Sequence, residues 1–137
     1  MSTYPQKKLD PKWIREGIKD ETIEWAKSFG EFLQRKDKTN PLTTTQIRKF
    51  FGELKRIQGN TDLYGEDVPM LKAKLAYAVG RDMSKRHGKI TYSKLKEFYE
   101  ELETGINAVR VNEKTDINNL VKLVEAIVAY HKYFGGE

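Results

Sequence analysis

No cysteine occurs among the 137 residues, which excludes disulfides, thiolate zinc sites, thiol nucleophiles and iron–sulfur clusters. Only two histidines are present, His87 and His131, too few to build much metal chemistry. Missing too are a Walker motif, a dinucleotide fingerprint and a nucleophile elbow. No stretch approaches the roughly 18 apolar residues of a membrane span. The start, MSTYPQKKLDPKW, has no apolar signal segment, so a soluble, cytoplasmic protein without a membrane partner is expected. What remains is enough for one core: 38% apolar residues against 33% charged, in a length typical of one domain. Residues 1–137 read as a single domain, with residues 1–9 as a flexible lead.

Apolar residues recur at three and four positions with little sustained alternation, which predicts an all-α fold, a compact bundle of about five helices. The first helical region starts at Asp10-Pro11, where Asp caps and Pro suits the first position. It bends near Gly17 to Asp20 and continues through Ile23, Ala26, Phe29 and Leu33. The second starts at Thr43 or Thr44, with Thr43 and Gln46 in capping-box spacing, and buries Ile47, Phe50, Phe51, Leu54 and Ile57. An acidic loop then runs to Asp67. The third, from about Pro69 to Arg86, buries Leu71, Leu75, Ala78, Val79 and Met83. The fourth opens at Thr91, with Glu97, Glu100, Glu101 and Glu103 on its wet side. Asp116 caps the fifth, whose apolar stripe includes His131 and which Gly135-Gly136 closes.

The excess of 25 Lys and Arg over 20 Asp and Glu points to an anionic partner such as nucleic acid. Its placement is more telling. Residues 43–58 hold four basic residues against one acidic, residues 69–90 six against one, and the remainder is net acidic. At about 100° per residue, Arg48, Lys49, Lys55 and Arg56 share one arc of the second helix around Gly52, opposite its apolar stripe. A bare glycine there lets a phosphate backbone come close. Lys74, Arg81 and Lys85 share an arc of the third helix beside Tyr77. Lys72 falls within the apolar arc and must snorkel or find a partner. Zinc-finger spacing, an RRM signature and a clear aromatic stacking platform are all lacking, so contacts to phosphate and sugar are the expected mode.

Catalytic candidates are sparse. Arg81 to His87, RDMSKRH, fits a loose R-x(4–6)-H pattern similar to that of HEPN ribonucleases, with His as acid or base and Arg stabilising a phosphorane. Positions six apart on one helix diverge by about 120°, so the pair would need a helix end or a dimer to converge. The glutamates of the fourth helix read as a solvated face rather than a cation site, and His131 as a satisfied core histidine. No metal, cofactor or active site is expected.

Three stretches, LTTTQIRKFFGELKRIQ (42–58), LKAKLAYAVGRD (71–82) and VEAIVAYHKYFGG (124–136), resemble the small subunit of the type III-A CRISPR effector, the Csm complex. The resemblance implies an α-helical protein of the prokaryotic cytoplasm, acting in antiviral defence and stacking in several copies along guide RNA and paired target RNA beside other Csm subunits. Catalysis in that family is assigned to other subunits, which implies a non-catalytic role here. Carried over by position, Arg48, Lys72, Lys74 and Arg81 are the RNA contacts, while Lys49, Lys55, Arg56 and Lys85 rest on helical geometry alone. Tyr130, Tyr133 and Phe134 read as core first and as stacking surface between copies second. Three other readings stay open: a HEPN-like, metal-independent ribonuclease using Arg81 and His87, the equivalent type III-B small subunit, and a scaffold whose basic faces dock an acidic protein.

Overall fold

The first helical region is two helices, because the chain breaks at Gly17, whose φ of +121° is a left-handed conformation that side chains resist. In the computed structural model, which describes residues 8–86, 88–110 and 112–137, α1 spans Lys12–Arg15 and α2 spans Asp20–Gln34. Asp10 caps as expected, its carboxylate accepting the Lys12 N–H at 2.9 Å. Of the lead expected to be flexible, residues 1–7 lie outside the described residues. Leu9 is buried, with its N–H donated to Glu101 at 3.0 Å.

Helix α3, Thr44–Gln58, starts with the expected box: Thr43 Oγ1 accepts the Gln46 N–H and Gln46 Oε1 accepts the Thr43 N–H. Its stripe is buried except for Phe51, which is half-buried. Helix α4, Tyr64–Asp82, follows a 3-10 turn at Thr61–Leu63. The acidic stretch expected to be loop thus includes the first turn of α4, where Glu66 and Asp67 suit the positive helix end, and Pro69 lies inside the helix.

α4 also ends four residues earlier than expected. Met83 is extended, and Asp82 accepts both the N–H and the hydroxyl of Ser93, at 2.6 and 2.7 Å. Met83 is therefore exposed rather than core, and Ala78 and Val79 are half-buried. The residues that follow form an antiparallel hairpin, β1 (Ser84–Arg86) and β2 (Lys89–Thr91). Helix α5 begins at Leu95, not Thr91, and runs to Ala108. Helix α6 spans Lys114–Tyr133. Asp116 is not its cap but sits fully buried in its first turn, accepting the Arg110 N–H and guanidinium at 2.9–3.0 Å. At the far end the positive φ of Gly135 and a bond from the Gly136 N–H to His131 O close α6 as expected.

α6 is the axis of the bundle, packed against α1, α2 and α3, while α4 and α5 pair beside it. A row of rings, Trp13, Trp25, Phe29 and Phe32, at centroid spacings of 5.6, 4.8 and 6.3 Å, fills the space under α2. The α2–α6 crossing is close because of Gly30: a Cβ there would lie 2.9 Å from both His131 N and Tyr130 Cβ. The described residues hold no helix long and apolar enough to cross a membrane.

Two further buried charges, besides Asp116, break the apolar pattern. Glu101, expected on the wet side of its helix, is 4% exposed and pairs with Lys8 at 3.3 Å. Lys94, fully buried, donates to Arg35 O and Thr39 O at 3.0 Å and to Asp37 at 2.6 Å. It clasps the α2–α3 connection from the start of α5.

Candidate nucleic-acid interface

The core stripe of α3 turns Arg48, Lys49, Lys55 and Arg56 outward together, and all four are exposed. Gly52 lies in their midst, and a Cβ built there would meet nothing within 4 Å. The face is open at its centre.

These cations are not equivalent. Arg56 donates to Glu53 at 2.9 Å and to Asp67 at 3.2 Å, and Lys74 lies 3.3 Å from Glu53. The Arg56 hydrogen bond, followed by that of Lys74, holds the Glu53 carboxyl below its ordinary range against the opposing pull of partial burial. Arg48, Lys49 and Lys55 have no ion-pair partner among the described residues. They form the uncompensated part of the face.

The two pairs of contacts also fix how α4 lies on α3. From Glu53 to Arg56 along α3 the partners step back from Lys74 to Asp67 along α4, so the helices run antiparallel. Lys74, Tyr77 and Arg81 occupy one outward arc of α4, with the Arg81 guanidinium 5.9 Å from the Tyr77 ring centroid. The ring that the sequence placed beside this arc is thus paired with the guanidinium one turn on.

Two residues grouped with this face lie elsewhere. Lys72 is half-buried on another side of α4, donating to Asn107 on α5 at 2.7 Å, beside a cleft of about 180 Å³ between Val68, Ile106 and Arg110. That is the partner its apolar position demanded. Lys85 belongs to β1, beyond the end of α4, so it shares no helical arc with Arg81.

The Arg81 and His87 pattern straddles the end of α4, and His87 lies outside the described residues. The described residues contain no cluster of three His, Asp or Glu side chains arranged to hold a metal ion. His131 is the satisfied core histidine expected: it is 1% exposed, with Nε2 2.6 Å from Leu42 O. Burial is the main force that lowers its pKa, partly opposed by the Leu42 carbonyl. The aromatic end of α6 departs from expectation. Tyr133 is 75% exposed, in edge contact with Phe134 at 4.9 Å and Tyr130 at 6.3 Å, because it falls on the exposed arc of α6 with Ala129 and Lys132.

No curated protein and no solved structure matches the chain. One family model does, described as Csm2 Type III-A, over residues 18–137. That span takes in all three of the stretches that carry the resemblance, and it favours type III-A over type III-B. The chain belongs to the Csm2 Type III-A family, that of the small subunit of the type III-A CRISPR effector complex.

Proposed function

We propose that the protein is a non-catalytic RNA-binding subunit that lays its α3 face along the backbone of guide RNA and paired target RNA, repeating in several copies beside the other Csm subunits. The reading rests on the exposed trio Arg48, Lys49 and Lys55 around the open Gly52. Cations meeting phosphates give affinity and register but no choice of sequence. Sequence choice falls to guide pairing, as in RNA-guided effectors generally. The exposed Tyr133 and its ring neighbours offer apolar surface for contact between copies. The cytoplasm of a prokaryotic cell is where such an assembly works.

The test is binding of the purified protein to unrelated single-stranded RNAs of equal length over a range of salt. With Arg48, Lys49, Lys55 and Lys74 each meeting one phosphate, log K falls against log salt with a slope of about −2.8, and Arg48→Glu/Lys49→Glu reduces this to about −1.4. Equal affinity for all the sequences is expected. Failure to bind at low salt, or a double variant that binds like the wild type, overturns the reading.

A further inference from the structure

Tyr77 is 68% exposed in the middle of the long helix α4. A lone exposed aromatic needs no explanation, but the surroundings of this one are specific. Arg81, one turn on, holds its guanidinium 5.9 Å from the ring centroid, within the range of a cation–π contact. Lys74 lies about one turn before it. Ala73, Ala76 and Gly80, all exposed, flank the ring, and a Cβ at Gly80 would meet nothing within 4 Å. The ring therefore stands clear of its own helix. No acidic residue occurs on α4 between Asp67 and Asp82, so the ring lies in a positive stretch of surface.

Its position relative to α3 follows from the antiparallel packing. Lys74 pairs with Glu53, so Tyr77, further along α4, lies toward the α3 residues that precede Glu53, where Lys49 is found. A strand whose phosphates follow Lys49 and Lys74 passes beside the Tyr77 ring.

We infer that Tyr77, backed by Arg81, is a stacking post for an unpaired nucleobase of the RNA whose backbone follows α3. The inference rests on the RNA-binding reading and adds a subsite to it. Proteins that hold single strands without sequence preference combine a cationic track with rings on which bases stack, and Arg adds a cation–π contribution. Every base has a π-face, so the post tolerates any sequence. A base already stacked in a duplex cannot use it, so the subsite serves unpaired nucleotides.

The experiment compares wild type, Tyr77→Ala and Tyr77→Phe in binding single-stranded and duplex RNA of equal length at several salt concentrations, with circular dichroism to verify the fold. An RNA carrying 2-aminopurine reports stacking directly through quenching of its fluorescence. Tyr77→Ala is expected to weaken single-strand binding about five-fold or more, to abolish the quenching and to leave the salt slope unchanged, because no charge is lost. Tyr77→Phe keeps the ring and should keep both affinity and quenching. Duplex binding should not distinguish the three proteins. If wild type and Tyr77→Ala bind single strands equally while the steep salt slope persists, the stacking post is overturned and the backbone reading stands. If the wild type binds no RNA at all, both fall.

Discussion

The Lys74 ammonium lies 3.3 Å from the Glu53 carboxylate, joining two basic helices through the one acidic residue of α3. Glu53 also holds Arg56, so a single negative charge restrains two of the cations that face outward. Its effect on stability is small, because exposed pairs contribute about 0–1 kcal/mol. Its effect on an approaching polyanion is larger. Glu53→Gln should raise RNA affinity and steepen the salt slope by about 0.7 through Arg56, because Lys74 is already among the phosphate contacts, with thermal stability nearly unchanged. Titrating RNA into both proteins at several salt concentrations checks this.

Two glycines should respond in opposite directions to alanine. Gly30→Ala places a methyl group 2.9 Å from backbone and Cβ atoms of α6, where the neighbours cannot yield without separating two helices. It should destabilise by about 1–3 kcal/mol. Gly52→Ala meets nothing and should stabilise by up to about 1 kcal/mol through helix propensity. If phosphate passes over that glycine, the stabilised variant should nonetheless bind RNA more weakly. Urea denaturation and an RNA titration of each variant separate these effects.

Lys94 should be the most sensitive lysine of the chain. Lys94→Met keeps the stem packed but leaves Arg35 O, Thr39 O and Asp37 without their shared donor. A loss of about 2–3 kcal/mol is expected, read from the urea midpoint. Asp37→Asn should cost less, since the two carbonyl acceptors remain.

Acid should weaken the fold through His131 before Asp37, Asp116 or Glu53 takes up a proton. Burial holds its folded pKa below the ordinary 6.5, so the unfolded chain takes up the proton first. The stability that neutral His131 contributes is complete above the unfolded value and is lost as pH falls below it, toward the folded value. The melting temperature should fall as pH drops below about 6.5, and His131→Gln should flatten that dependence. Asp37, Asp116 and Glu53, each held below the usual carboxylate range chiefly by a hydrogen bond from Lys94, Arg110 and Arg56 respectively, contribute stability present above their unfolded values. It is lost only at more acid pH, as the folded values are crossed.

Elements governed by local chemistry were legible from the residues alone. Thr43 and Gln46 announced the start of α3, and its alternation of Ile47, Phe50, Leu54 and Ile57 with Arg48, Lys49, Lys55 and Arg56 announced both faces. Elements governed by distant partners were not. α4 stops at Asp82 because Ser93, eleven residues on, supplies two donors, and three-residue strands are too short to display a period. Lys94 is buried by acceptors from the α2–α3 connection, although its place four residues before Phe98 and eight before Leu102 was a hint. Asp116, four before Leu120, offered the same hint. In the candidate interface the arc of α3 was readable, whereas the compensation of Arg56 by Asp67 and the diversion of Lys72 to Asn107 depend on how α3, α4 and α5 meet.

The central place of α6 bears on how the protein is made. Its partners α1, α2 and α3 precede it in the chain by long separations, so a nascent chain emerging in order carries three helices whose sides toward α6 have nothing to cover them. Contacts of such separation also slow folding relative to a bundle of neighbouring hairpins. Until α6 arrives, Trp13, Trp25 and Phe29 are exposed together, which makes the interval before its synthesis the period of greatest dependence on chaperones.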